Sequence, residues 1–100
     1  MKKKYFKTKP YCRVTFQLPK ASAASAESVA LVGEFNHWQE NETPMKKLKN
    51  GSFTVDVNLP VGNEYQFRYL IDSARWENDH HADKYVKTPY GNAENSVVVT

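Results

Sequence analysis

Two tryptophans in this 100-residue chain stand in polar surroundings that no buried strand face would supply. Trp38 lies between Gly33-Glu34-Phe35-Asn36-His37 and Gln39-Glu40-Asn41-Glu42. Trp76 lies in Ala74-Arg75-Trp76-Glu77-Asn78-Asp79-His80, and its neighbours two places away are Ala74 and Asn78. An indole in such company is either a plug at the end of the fold or an exposed platform. A platform beside amides and carboxylates suits a sugar, which has one apolar face of C–H groups and a rim of hydroxyls. The ring takes the face, and nearby polar side chains bond the rim. Two such rings would cover roughly 150–200 Å² of apolar surface, about 4–5 kcal/mol gross at 25 cal/mol per Å². Association entropy offsets much of that, so the expected affinity is weak, about millimolar to tens of micromolar. A polymer with many sites per chain would compensate.

Other chemistries fit the residues less well. Glu77, Asp79 and Asp72 could supply the two carboxylates of glycoside hydrolysis, but that reaction works across a deep cleft rather than on flat aromatic loops. His80 and His81 are adjacent, so on a strand they would face opposite ways, and Asp79 and Asp83 do not complete a ligand set. No catalytic residue, metal ligand or cofactor is expected. The single cysteine, Cys12, reads as a core residue on the inner face of the first strand.

The elements that would hold the tryptophans are strands. Cys12, Val14, Phe16 and Leu18 alternate with Arg13, Thr15 and Gln17. Phe53, Val55, Val57 and Leu59 alternate with Thr54, Asp56 and Asn58, and Tyr65, Phe67, Tyr69 and Ile71 with Gln66, Arg68 and Leu70. Ser28-Val29-Ala30-Leu31-Val32 is a continuous apolar run, as in a central strand covered on both faces. Turn chemistry separates the runs at Pro19, Asn50-Gly51, Pro60-Val61-Gly62-Asn63, Asp72-Ser73 and Pro89-Tyr90-Gly91-Asn92. The pattern predicts an all-β, antiparallel sandwich of about seven strands. Leu70, on the outer face with Arg68, is left either exposed or covered by another chain.

One domain fits the length, and no apolar run approaches the roughly 18 residues of a membrane span. The net charge of +3 is unevenly spread. Residues 1–20 hold seven bases and no acid, while residues 21–100 hold seven bases against eleven acids, a net −4. Residues 1–10 therefore read as a basic tail and 11–100 as the folded domain. A frayed, solubilising end is the plainer reading of the tail; contact with phosphates or anionic lipid is the other. A basic stripe across a folded face is not visible, so neither nucleic acid nor membrane is expected as a partner. The lysine-rich start lacks the apolar segment of a secretory signal, and a lone cysteine cannot close an internal disulfide, which points to a reducing, cytoplasmic setting.

Val29-Ala30-Leu31-Val32-Gly33-Glu34-Phe35-Asn36-His37-Trp38 resembles the G-x-F-N-x-W signature of the family 48 carbohydrate-binding modules. That group includes the immunoglobulin-like early-set N-terminal domains of isoamylases and branching enzymes and the glycogen-binding domains of AMP-activated protein kinase β subunits. Tyr65-Gln66-Phe67-Arg68-Tyr69-Leu70-Ile71-Asp72, Trp76, Asn78-Asp79, Ala82-Asp83, Tyr85-Val86, Tyr90-Gly91 and Asn95-Ser96-Val97-Val98 continue the resemblance over residues 11–100. The chain looks most like the stand-alone bacterial versions. The resemblance implies that Trp38 and Trp76 are stacking residues and that Arg68 takes the place of a sugar-bonding lysine. Tyr90 falls where the kinase modules carry a residue inserted against the glucan, Asn92 follows in that loop, and Glu94 stands at the position of a sugar-bonding asparagine. Gly33, Phe35 and Asn36 would fix the turn that presents Trp38. Asp72-Ser73, where the family commonly has glycine, and His80, where it often has proline, are departures.

The function implied is non-catalytic binding of α-1,4-linked glucan: glycogen, starch or maltooligosaccharide. The alternative is a sandwich that docks on a glycogen-metabolising enzyme or a kinase and binds no sugar itself.

Overall fold

The computed structural model describes every residue except Tyr90 and Asn92. Among the described residues the chain is all strand and turn, in nine strands: β1 (Lys2–Tyr5), β2 (Tyr11–Leu18), β3 (Val29–Gly33), β4 (Lys46–Lys47), β5 (Phe53–Pro60), β6 (Glu64–Ile71), β7 (Arg75–Glu77), β8 (Lys84–Lys87) and β9 (Glu94–Val99). A 3-10 turn, Glu34–Asn36, follows β3. Two antiparallel sheets form, one in the order β1-β2-β5-β4 and the other β3-β6-β9-β8. In the second, β9 pairs with residues 64–67 of β6, and β7 with residues 69–71.

The period-2 pattern does what alternation requires. Cys12, Val14, Phe16 and Leu18 of β2 are buried against Phe67, Tyr69 and Ile71 of β6, with Val29, Leu31, Phe53, Leu59 and Val98 completing the core. Phe16 and Phe67 meet edge to face at 5.0 Å and 73°, and Phe67 and Tyr69 at 5.8 Å and 77°, the arrangement aromatic quadrupoles favour.

Three details differ from the sequence reading. The strand count is nine because the short strands β1, β4, β7 and β8 join the runs the pattern marks. Of these, β1 lies in the basic segment expected to fray. It pairs with β2 from Lys2↔Thr15 to Tyr5↔Cys12, Lys3 Nζ meets Asp83 Oδ2 at 2.6 Å, and Tyr5 Oη donates to the Thr100 carbonyl at 2.9 Å. A basic face therefore does exist. Register puts Lys2 and Lys4 on the outer side of the first sheet beside Arg13, and Lys4, Lys9 and Arg13 sit over the rings of Phe6 and Tyr11 at 5.5–5.8 Å. The third is β3, which pairs with β6 on one edge only; its other edge is closed by Thr43–Met45, through Leu31 N–H to Thr43 O and Met45 N–H to Val29 O. Leu70 is buried by its own chain, flanked directly by Ala30 of β3 and Trp76 of β7.

Candidate functional site

Trp38 is presented by a turn fastened at three points. β3 ends at Gly33, opposite Phe67, and a Cβ there would lie 2.7 Å from the Gln66 carbonyl and 2.8 Å from Phe67 Cβ, so glycine is needed for the close approach. Phe35 points inward and packs on Phe16 at 5.7 Å and Tyr65 at 6.1 Å. Buried Asn36 accepts from Gly33 N–H at 3.0 Å and donates to Leu31 O at 2.9 Å and Thr43 Oγ1 at 3.0 Å. With those bonds made, His37 and Trp38 are held at φ 57° and 58°. Left-handed backbone costs a non-glycine residue about 1–2 kcal/mol, and it persists here because the network around it over-determines the turn. Trp38 N–H closes on Gly33 O at 2.9 Å, and the indole stays 38% exposed.

Trp76 reaches the same face by a different device. The β6–β7 hairpin turns through Asp72 and Ser73, both left-handed at φ 52° and 55°, with Ala74 N–H bonded to Ile71 O at 3.0 Å. Asp72, Ser73 and Ala74 join the strands, since Ile71 pairs with Arg75, and left-handed positions in such turns usually take glycine or asparagine. Asp72 compensates: its Oδ1 accepts from the Glu27 and Ser28 amides, both at 2.9 Å, which holds its carboxyl below the usual value. Trp76 then stands opposite Leu70, 41% exposed.

Arg68 lies on the same outer face of β6, two residues from Leu70 and one from the pair that starts the Trp38 turn. Its Nε is buried and has no hydrogen-bond partner among the described residues. Trp38, Arg68 and Trp76 line one cleft of about 520 Å³, together with Glu34, Gln66, Thr88, Pro89, Ala93 and Asn95. Glu34 Oε1 accepts from the Gln66 backbone N–H at 2.7 Å, and Asn95 Nδ2 donates to Gln66 Oε1 at 3.0 Å.

Three of the expected site residues are thus brought together. Glu94 does not line the cleft: it is the first residue of β9 and alternation turns it away from the face that Asn95 occupies. Tyr90 and Asn92 lie outside the described residues. Gln66 was legible as a solvent-side neighbour of Arg68. Glu34 carried no periodic signal, because it sits past the end of its strand.

The other polar candidates have structural employment. Asp79 is buried, accepting from Tyr69 Oη at 2.6 Å and His81 N–H at 2.7 Å, while its own N–H donates to Ser96 Oγ at 2.9 Å. Burial, reinforced by that carboxylate, pushes the Tyr69 phenol well up. His80 and His81 lie in a turn rather than on a strand, and His80 Nε2 is 3.4 Å from Glu77 Oε1. Among the described residues no group of three or more His, Cys, Asp or Glu is placed to hold a metal ion. Among the same residues, no helix is long and apolar enough to cross a membrane.

Residues 14–100 match a sequence family described as the glycogen recognition site of AMP-activated protein kinase. The chain is also similar to two bacterial enzymes. It is 37% identical over 60 residues to the 1,4-alpha-glucan branching enzyme GlgB of Aquifex aeolicus, a stretch covering 57% of this chain. It is 34% identical over 64 residues to the enzyme of that name from Photobacterium profundum, covering 63% of this chain. In both cases the match spans 9% of the enzyme's length. With an all-β sandwich, a tryptophan-lined cleft and a family match over residues 14–100, the chain belongs to the family of glycogen recognition modules.

Proposed function

We propose that this chain is a non-catalytic module that binds α-1,4-linked glucan, with glucose rings stacked on Trp38 and Trp76 and hydroxyls bonded by Arg68. The observation that carries the reading is the placement of two half-exposed indoles on one cleft. In the core the aromatics Phe16, Phe53, Phe67 and Tyr69 are fully buried, so these two rings are left out for another use. Arg68 lines the same cleft, and its guanidinium donates only, which suits a sugar hydroxyl as acceptor. Glu34 is the only carboxylate among the described lining residues, and glycoside hydrolysis requires two. Tyr90 and Asn92, which lie between Pro89 and Ala93 in the sequence, are assigned to the same ligand by the family resemblance alone.

Titration with maltoheptaose and β-cyclodextrin, followed by tryptophan fluorescence, tests this, with cellohexaose as the β-linked control. A saturable change with the α-linked sugars only is expected. Trp38→Ala and Trp76→Ala each weaken binding more than tenfold while the thermal transition stays cooperative. No response to any sugar at tens of millimolar overturns the reading and leaves a docking domain for a glycogen-metabolising enzyme as the explanation.

A further inference from the structure

The floor of the cleft carries a hydrogen-bonding pattern that neither the tryptophans nor Arg68 explain. β3 stops at Gly33, so the Gln66 amide lies beyond the last β3–β6 pair, and the Glu34 carboxylate takes it up at 2.7 Å. That bond uses Oε1 and leaves Oε2 free of it. One step along the floor, the Gln66 and Asn95 side chains hold one another at 3.0 Å. An amide–amide bond of this kind spends one donor and one acceptor. Whichever way the two amides are turned, donors remain on one and an acceptor on the other. Arg68 adds donors and no acceptor. The cleft that holds the two indoles therefore presents both acceptors and donors.

A sugar hydroxyl is both donor and acceptor, so a pair of neighbouring hydroxyls can satisfy such a floor completely. A phosphate ester or carboxylate, which only accepts, cannot. The charge agrees: Glu34 and Arg68 are the charged residues of the described lining, and they cancel. We infer that Glu34, Gln66 and Asn95 are sugar-contacting residues that read paired hydroxyls, and that Glu34 sets the cleft's preference for neutral over phosphorylated glucan. This rests on the α-glucan reading above and specifies which side chains impose selectivity within it.

The test is calorimetric titration of the full chain and three variants with maltoheptaose and with a maltodextrin bearing glucose 6-phosphate esters. Gln66→Ala and Asn95→Ala should each weaken maltoheptaose binding about three- to tenfold, the worth of one hydrogen bond. Glu34→Gln keeps an acceptor for the Gln66 amide and removes the charge. It should shift the ratio of the two affinities toward the phosphorylated ligand about three- to tenfold at low salt, and the shift should fade at 0.5 M NaCl. Because that ratio compares two ligands on one protein, partial unfolding of the variant cancels from it. If all three variants bind both ligands as the parent does while Trp38→Ala does not bind, the floor is unused and this inference falls, with the α-glucan reading intact. If the parent binds neither ligand, both fall.

Discussion

On the outer side of the sheet built around β6, Val32, Leu70 and Val97 are buried although they belong to no part of the core between the sheets. On the outer side of the sheet built around β2, register exposes Lys2, Lys4, Arg13 and Gln17 beside Asp56 and Asn58. The same alternation makes both faces, and the strands are of similar length. The difference lies in the connections. Left-handed non-glycine residues occur at His37, Trp38, Asp72 and Ser73, in the two turns that deliver the cleft tryptophans, and otherwise at Ser25 among the described residues. The turns at Gly51 and Gly62, neither of which lines the cleft, meet the same need with glycine at φ 89° and 79°. The two turns that aim the tryptophans accept strain, while glycine takes the left-handed position at Gly51, Gly62 and, between the lining residues Pro89 and Ala93, Gly91 at φ 66°. Here the turns, more than the strands, set one sheet face apart from the other.

The comparison breaks most severely at the base of the Trp38 turn. Gly33→Ala drives a methyl into the Gln66 carbonyl, and Asn36→Ala leaves the buried Gly33 amide and Leu31 carbonyl without their partner. Each should cost about 1–3 kcal/mol in urea unfolding and weaken maltoheptaose binding more than tenfold, although neither residue lines the cleft. Trp38→Ala should do the reverse, losing binding with little change in the urea midpoint. If Asn36→Ala keeps full affinity, the turn does not need this network to aim the ring.

What was readable in the sequence follows the same division. Period-2 alternation exposed β2, β5 and β6, their inward faces and the outward place of Arg68, because each of those residues is positioned by its own strand. Trp38 and Trp76 were legible as misfits in polar company. Strand β1 was not, since a lysine run has no apolar face to betray it; it is placed by its ladder with β2 and by contacts of Lys3 with Asp83 and Tyr5 with Thr100, both distant in sequence. Glu34 escaped for the parallel reason that its role, closing the ladder past Gly33, exists only once β3 and β6 are paired. That Asn95 rather than its neighbour Glu94 faces the cleft is set by the register of β9, which a position in a sequence motif does not show.

Acid should separate the turn-held regions from the rest. Asp72 and Asp83 both titrate below their ordinary value near 3.9. For Asp72 the Ser28 and Glu27 amides are the cause; for Asp83, burial acts upward and is outweighed by the Lys3 ammonium and the Val99 amide. A carboxyl depressed in the folded state stabilises above its unfolded pKa and ceases to as pH falls through the folded one. The parent chain should therefore lose urea resistance as pH drops from about 4 downward. Asp72→Asn and Asp83→Asn should each start lower and flatten that decline. A parallel decline in both variants would mean that other carboxylates govern it.

The smallest effect belongs to the basic face. Lys3→Ala, which removes the half-buried partner of Asp83 and loosens β1, should cost no more than about 0.5–1 kcal/mol. Lys2→Gln, Lys4→Gln and Arg13→Gln combined should change stability by about 0.5 kcal/mol or less and leave maltoheptaose affinity within about twofold, since the ligand is uncharged and the cleft lies on the other sheet. The cation–π contacts of Lys4 and Arg13 with Phe6 are solvent-side and worth little singly. Measuring the triple variant beside Glu34→Gln on the same two ligands sharpens the contrast. Charge removed from the cleft should alter which glucan is chosen, and charge removed from the opposite face should not, which would place selectivity in the turns and floor of one sheet rather than in the electrostatics of the whole domain.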